Sequence, residues 1–292
     1  MIPLRKSFLI SQISLRLYVK ALNNNLSRYI KPMFYFLVNS LAWATPTLNT
    51  INNAVNIYNS HARFLLPTLN SAQYASLKEG TVVTLLDKTD PDDPQRAIGM
   101  LLSPVPAKQL WISCQDSHFS QQSSTTEKRL SLNTDRSAEW YGFMDMPWPF
   151  SDRHWLVNVS NNISMAAKTN DACWEHPWDL ILGEKSKIYS HLGKKPLANI
   201  SKEMVDSAIY TPVNKGAWGL IQIEDQNLLV YHATTVVGGS IPTDLVVKLV
   251  RTSLNDMLKN IETRALNEVP THYTDEHSLI LGGNGKNIPL FD

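Results

Sequence analysis

Trp140-Tyr-Gly-Phe-Met-Asp-Met-Pro-Trp-Pro-Phe-Ser-Asp-Arg-His-Trp155 is the stretch whose reading decides the fold. It opens as an aromatic-rich strand, which Pro147 and Pro149 then interrupt. Each proline lacks an N–H, fixes its own φ and pushes the residue before it towards extended backbone. A sheet ladder therefore cannot run from Met146 to Phe150. Ser151-Asp152 supplies turn chemistry. A second strand follows, from Arg153 to Asn161, on which Arg153, Trp155, Val157 and Val159 share one side. An arginine at the end of an apolar face either borders a cavity that receives the polar end of a ligand or pairs with a carboxylate. Glu139, Asp145 and Asp152 are the carboxylates at hand.

Outward from this stretch, strand patterns recur. Upstream they cover Thr81 to Asp87, Gln95 to Leu102, Lys128 to Asn133 and Ala138 to Asp145, with a turn at Asp90-Pro-Asp-Asp-Pro94. A further strand or two is expected between Ile163 and Ile181, and a loop over 183–201. Val205 to Thr211, Gly216 to Ile223 and Leu228 to Val236 read as three more strands. Helices are expected from Pro67 to Leu77 and after Pro104.

The strongest helical pattern runs from Ile241 to Asn267. Val246, Val250, Leu254, Met257, Ile261 and Ala265 recur at three- and four-residue steps. About 26 helical residues span roughly 39 Å, long enough to cross a sheet. Strands followed by one long helix imply an α+β domain with the helix on one face. From Pro270 onward the polar, Gly-rich sequence reads as a loosely held tail.

Met146-Pro-Trp-Pro-Phe-Ser-Asp-Arg153 resembles the signature of START-type lipid-transfer domains, in the wider Bet v 1-like superfamily. Gly216-Ala-Trp-Gly-Leu220, Leu229-Val-Tyr-His232 and Gly238-Gly-Ser-Ile-Pro242 before the long helix are similar to the end of such a domain. The resemblance covers roughly Leu66 to Val269. It implies a helix-grip fold: a curved antiparallel sheet wrapped around the C-terminal helix, with a cavity between them.

Composition agrees with one sizeable core. Of the 292 residues, 43% are hydrophobic and 18% charged. A net charge of +1 gives no electrostatic reason to expect nucleic acid. No Asp or Glu precedes Glu79, however. Residues 1–44 are basic, then apolar from Met33 to Ala44, and end on Ala42-Trp-Ala44. The apolar run has the length of a signal-peptide core and is too short to span a bilayer. This targeting segment predicts export, periplasmic or secreted, with cleavage before Thr45. A mitochondrial-type presequence or an interfacial helix shares the same basic character, so organellar or cytoplasmic residence stays open. Residues 45–65 read as a linker or short helix, 66–269 as the domain and 270–292 as the tail. Cys114 and Cys173 lack metal-ligand spacing and read as buried thiols, with a disulfide plausible only after export.

No catalytic constellation, cofactor motif or metal site emerges. The eight histidines are scattered. Gly282-Gly-Asn-Gly-Lys286 lacks the strand and helix that a phosphate loop needs. Cys173-Trp-Glu-His-Pro-Trp178 offers one thiol and one imidazole, too few ligands for zinc. The expected pocket is lined by Trp140, Arg153, Trp155, Val157, Tyr231, Val246, Val250, Leu254 and Met257. That pocket predicts a non-enzymatic carrier of one lipid, sterol-like or other hydrophobic molecule, with room for transient membrane contact. The rival is a hydrolase or cyclase using His232, Glu139 and Tyr231. The third alternative is a ligand-free interaction domain.

Overall fold

The computed structural model describes residues 45–291 apart from 88–93, 117–124, 133–136, 149, 183–187, 191–199, 237 and 240–242, with backbone alone at 125, 126, 128, 132 and 243–251. The targeting segment expected at 1–44 and most of the loop expected at 183–201 lie outside the described residues.

Helices α1 (Leu48–Asn59) and α2 (Ser71–Lys78) come first, then strands β1 (Val83–Asp87) and β2 (Arg96–Ser103). Helix α3 (Ala107–Gln115) leads to β3 (Thr125–Leu132), β4 (Ala138–Met144) and β5 (Arg153–Val159). Then come α4 (Ile163–Lys168), β6 (Cys173–Leu180), α5 (Lys202–Ser207) and β7 (Ile209–Tyr210). The chain continues with β8 (Val213–Ile223), β9 (Gln226–Val236), α6 (Thr243–Asn267) and α7 (Val269–His272).

One 9-stranded sheet runs in the order β1-β2-β9-β8-β6-β5-β4-β3, and β7 pairs with β5. The β5–β7 pair is parallel and the other ladders are antiparallel. The fold is α+β, with the curved sheet gripping the long C-terminal helix α6. Register in β8–β9 follows from a two-residue connection, Glu224-Asp225, because Ile223 pairs with Gln226. Glu224 takes φ 54°, a left-handed conformation that tight hairpin turns require.

Both faces of the sheet are covered. On the inner face α6 buries Leu254, Leu258, Ile261 and Ala265, one helical stripe. Gly99 on β2 admits this helix: a Cβ there would lie 2.8 Å from Leu258 Cδ1. On the outer face α1 buries Ile51, Val55 and Tyr58 against Ile98, Met100, Leu102 and Val230. Fully burying a side chain of this size stabilises by about 1.5–3 kcal/mol. Thr47 caps α1 by accepting from Thr50 N at 3.1 Å. The segment expected as a linker or short helix is thus a packed helix. The compact unit begins at Pro46.

Glu175 fastens this N-terminal layer to β6. It is fully buried. Both carboxylate oxygens accept from Arg63 N at 3.0 Å, and Asn162 Nδ2 and Tyr58 Oη donate at 2.7 and 3.3 Å. A buried carboxylate is tolerable only when donors replace its water in this way.

Two expectations need correction. Val205 to Thr211 is not one strand: Val205–Ser207 end helix α5, begun by Ser201 accepting from Met204 N, and only Ile209–Tyr210 is extended. The strand expected between Ile163 and Ile181 is β6, preceded by the short helix α4 that Asn162 caps. The tail after Pro270 is firmly held. Tyr273 is fully buried and donates to Ile288 O at 3.0 Å, Trp111 Nε1 donates to Leu281 O at 3.0 Å, and Gly283 lies under Trp174. Polar composition hid this, because the segment docks through its backbone and glycines.

Candidate functional site

Between the inner face of the sheet and α6 lies a cavity of about 330 Å³. That is at the small end of the range for ligand pockets, roughly 300–1,000 Å³. On β5, alternation sends Arg153, Trp155, Val157 and Val159 into the cavity wall and Leu156 to the opposite core. Trp140 pairs with Val157 and stands on the same side. Trp155 needs the residue opposite it to be glycine. A Cβ on Gly142 would lie 2.2 Å from Trp155 Cε2.

The other wall is built the same way. Trp218 on β8 pairs with Tyr231 on β9, their ring centroids 4.7 Å apart and inclined at 63°. Trp178 on β6 lies 5.4 Å from Tyr231 and covers Gly216, where a Cβ would meet Cζ2 at 2.6 Å. Its indole N–H donates to Asn214 Oδ1 at 2.9 Å. Helix α6 contributes Met257, Asn260, Ile261 and Arg264, and α3 contributes Ser113, Cys114 and Gln115.

Several ionisable groups face this space, Arg264 of α6 among them. Glu127 is accessible to solvent yet closely surrounded by protein, as a group on an internal cavity must be, and burial pushes its carboxyl above the usual range. Tyr231 is likewise raised, first by burial and then by the Glu127 charge. His176 is pushed down to about 4 by burial and is neutral near pH 7. Its Nδ1 lies 2.6 Å from Asn161 Oδ1, and Asn161 Nδ2 donates to Gly282 O at 2.9 Å. With the amide oxygen thus an acceptor, His176 Nδ1 carries the proton and Nε2 is left as the acceptor. Cys114 and Cys173 are free thiols, raised by burial to about 12 and about 11.

Arg153 meets backbone groups that its sequence neighbours did not announce, with the Asp152 charge close by. It is 2% exposed. Its guanidinium donates to three backbone carbonyls: Ser151 O, Asp152 O at 3.2 Å and Gly238 O at 2.7 Å. Burial lowers its pKa, though a guanidinium stays charged. Gly238 and Gly239 both have positive φ, 68° and 72°. Arg153 therefore ties the start of β5 to the glycine turn that precedes α6, and its stem closes one end of the cavity.

Of the residues expected to line a pocket, Trp140, Arg153, Trp155, Val157, Tyr231 and Met257 are brought together around this cavity. Leu254 is not. It packs on β2, 3.5 Å from where a Cβ of Gly99 would stand. The side chains of Val246 and Val250 lie outside the described residues. The catalytic alternative loses two of its groups. His232 faces the outer side, with its ring 5.4 Å from Phe64, and Glu139 pairs with Asn158 on that same side. Trp178, Trp218, His176 and Glu127 were not among the residues expected to line the pocket. Alternation on Trp174, His176 and Trp178, and the hairpin register opposing Trp218 to Tyr231, carried the signal for the first three.

Neither a protein-family model nor a curated protein matches the sequence. Among solved structures, the chain is similar to the STAR-related lipid transfer protein of Xanthomonas axonopodis, at 18% identity and TM-score 0.46, covering 64% of this chain and 94% of that one. It is similar to human StAR-related lipid transfer protein 5, at 11% identity and TM-score 0.47, covering 75% and 96%. It is also similar to the Zhui aromatase/cyclase from Streptomyces, at 12% identity and TM-score 0.36, covering 58% and 92%.

Proposed function

We propose that this protein binds, and carries without chemical change, one hydrophobic molecule of lipid or sterol-like character. The observation that carries the reading is the cavity wall itself: Trp140, Trp155, Trp178, Trp218 and Tyr231 converge on one space whose exposed lining is more apolar than polar. Each 100 Å² of apolar ligand surface removed from water contributes about 2.5 kcal/mol before the cost of association. A volume of about 330 Å³ suits one compact ligand. Glu127, His176 and Asn214 supply the polar contacts that orient it.

Protein purified from its natural host and sprayed under native conditions should carry one apolar molecule per chain. Val157→Trp, which fills the cavity from its wall, should abolish that extra mass while the protein stays folded. An empty wild-type protein, or a Val157→Trp variant that binds as before, overturns the carrier reading. A catalytic second reading rests on the raised carboxyl of Glu127 beside Tyr231. Glu127→Gln would then leave binding intact and abolish conversion of the bound molecule.

Transfer requires contact with a membrane, and Trp148, 93% exposed in the proline-bracketed loop, is the side chain suited to it. Among the described residues no helix is long and apolar enough to cross a membrane. Export with cleavage before Thr45 is part of the same proposal, supported by a packed unit that begins at Pro46. N-terminal sequencing of protein from the host tests it.

A further inference from the structure

Away from the cavity, three groups of metal-binding chemistry meet at one place. Asp116 follows directly on α3, His272 ends α7, and His277 lies in the turn beyond it. Their ligand atoms all lie within 4.8 Å of one another. They come from segments far apart in sequence, so the fold assembles the group.

The hydrogen bonding of His277 gives the cluster its meaning. Its Nδ1 lies 2.9 Å from Ser278 O. A carbonyl can only accept, so Nδ1 must carry a proton. In a neutral ring Nε2 is then a bare lone pair, yet it lies 2.9 Å from Asp116 Oδ2, a buried carboxylate. Two acceptors at that distance repel unless a cation stands between them. An N–H to a backbone carbonyl is also the usual outer support of a metal-binding histidine, fixing the tautomer that offers the other nitrogen. The His272 ring packs edge-on to His277, with centroids 4.8 Å apart, and brings a second imidazole to the same point.

We propose that Asp116, His272 and His277 form a binding site for a divalent transition-metal ion, with Zn²⁺ the first candidate. Two imidazoles and one carboxylate suit zinc and its first-row neighbours. Zinc–ligand distances near 2 Å need donor atoms roughly 3.3 Å apart in a tetrahedron, which falls between the 2.9 Å from His277 Nε2 to Asp116 Oδ2 and the 4.8 Å within which all the ligand atoms lie. The two histidines are half-buried, so a fourth position is open to water. The ion would staple the end of α3 to the segment after α6. Since α3 carries Ser113, Cys114 and Gln115 on the cavity wall, the staple would hold that wall in place. None of this depends on what the cavity binds.

The test is titration of chelator-stripped full-length protein with ZnCl₂ and CoCl₂. One ion per chain should bind, the melting temperature should rise with free Zn²⁺, and Co²⁺ should give the visible absorption of a four-coordinate site. His277→Ala should lower affinity more than tenfold, and so should Asp116→Asn. His272→Gln serves as a further variant should either of those fail to fold. Melting temperatures in chelator should stay close to wild type for the variants that fold. Absence of stoichiometric binding, or binding unchanged in these variants, overturns the proposal and leaves the cation as a second proton on His277, paired with Asp116.

Discussion

Arg153 sits at the junction of the cavity wall and the glycine turn before α6, and its chemistry decides what a substitution there does. Its guanidinium donates to the backbone carbonyls of Ser151, Asp152 and Gly238. Arg153→Met keeps the stem against the cavity and removes every donor. Hydrogen bonds to a charged group contribute about 1.5–3 kcal/mol. Loss of stability in that range is expected by denaturant titration, and a stability equal to wild type would refute the clasp. Gly142 is the opposite case, a residue whose absence of a side chain matters. Gly142→Ala sets a methyl against the Trp155 ring, and overpacking of this kind costs about 1–3 kcal/mol. The ring must swing away, so tryptophan emission should shift and binding of an apolar probe in the cavity should weaken together. The faces of both residues were legible from alternation alone. The partners of Arg153 were not, because sequence shows nearby carboxylates but never the backbone carbonyls that a turn will present.

Among the elements, α6 was the most legible and its stripe the least accurate. A pattern at three- and four-residue steps identifies a helix and its apolar half, but not which side of that half meets a strand and which meets a void. Leu254 and Leu258 went to β2 because Gly99 makes room there, while Met257 and Ile261 went to the cavity. Leu258 is fully buried against a central strand. Leu258→Ala should therefore destabilise by about 2–5 kcal/mol, the range for leucine deletions in rigid cores. Thermal or urea unfolding measures this, and a loss below about 1 kcal/mol would mean that helix and sheet close over the gap. Short helices were the elements misread. At six residues apiece, α4 and α5 are too brief for a period to declare itself, although their caps, Asn162 and Ser201, stand in the sequence.

For the whole molecule, two buried histidines set the response to acid. Burial holds His176 at about 4, and burial with the Arg96 charge holds His232 at about 3, against an ordinary 6.5. In the unfolded chain both take up protons below pH 6.5, whereas in the native protein they do not. Stability is therefore full above pH 6.5 and falls as the pH drops from there towards 4. Glu127 acts in the other sense, since a raised carboxyl favours the native state at lower pH. Neither ring nitrogen of His232 has a hydrogen-bond partner among the described residues. His232→Leu should raise stability at pH 7 by about 1 kcal/mol, by removing an unsatisfied buried group. It should also flatten the dependence of melting temperature on pH between 6.5 and 5. An unchanged slope would mean that His232 is not what acid attacks.

Covering the sheet on both faces has a consequence for how freely the protein can vary. In β2 all eight residues are buried, because α6 lies on one side and the layer made by α1 and α2 on the other. Most strands of a one-sided sheet leave every second position open to neutral drift. Here β2 has no such positions: replacements at Ile98 strike the outer core and replacements at Gly99 strike the helix. A saturation scan would show β2 as an unbroken block of intolerance, whereas the β8–β9 turn at Glu224-Asp225 would accept change. Over generations the family of sequences that can fold this way is narrowest at a strand that touches no ligand.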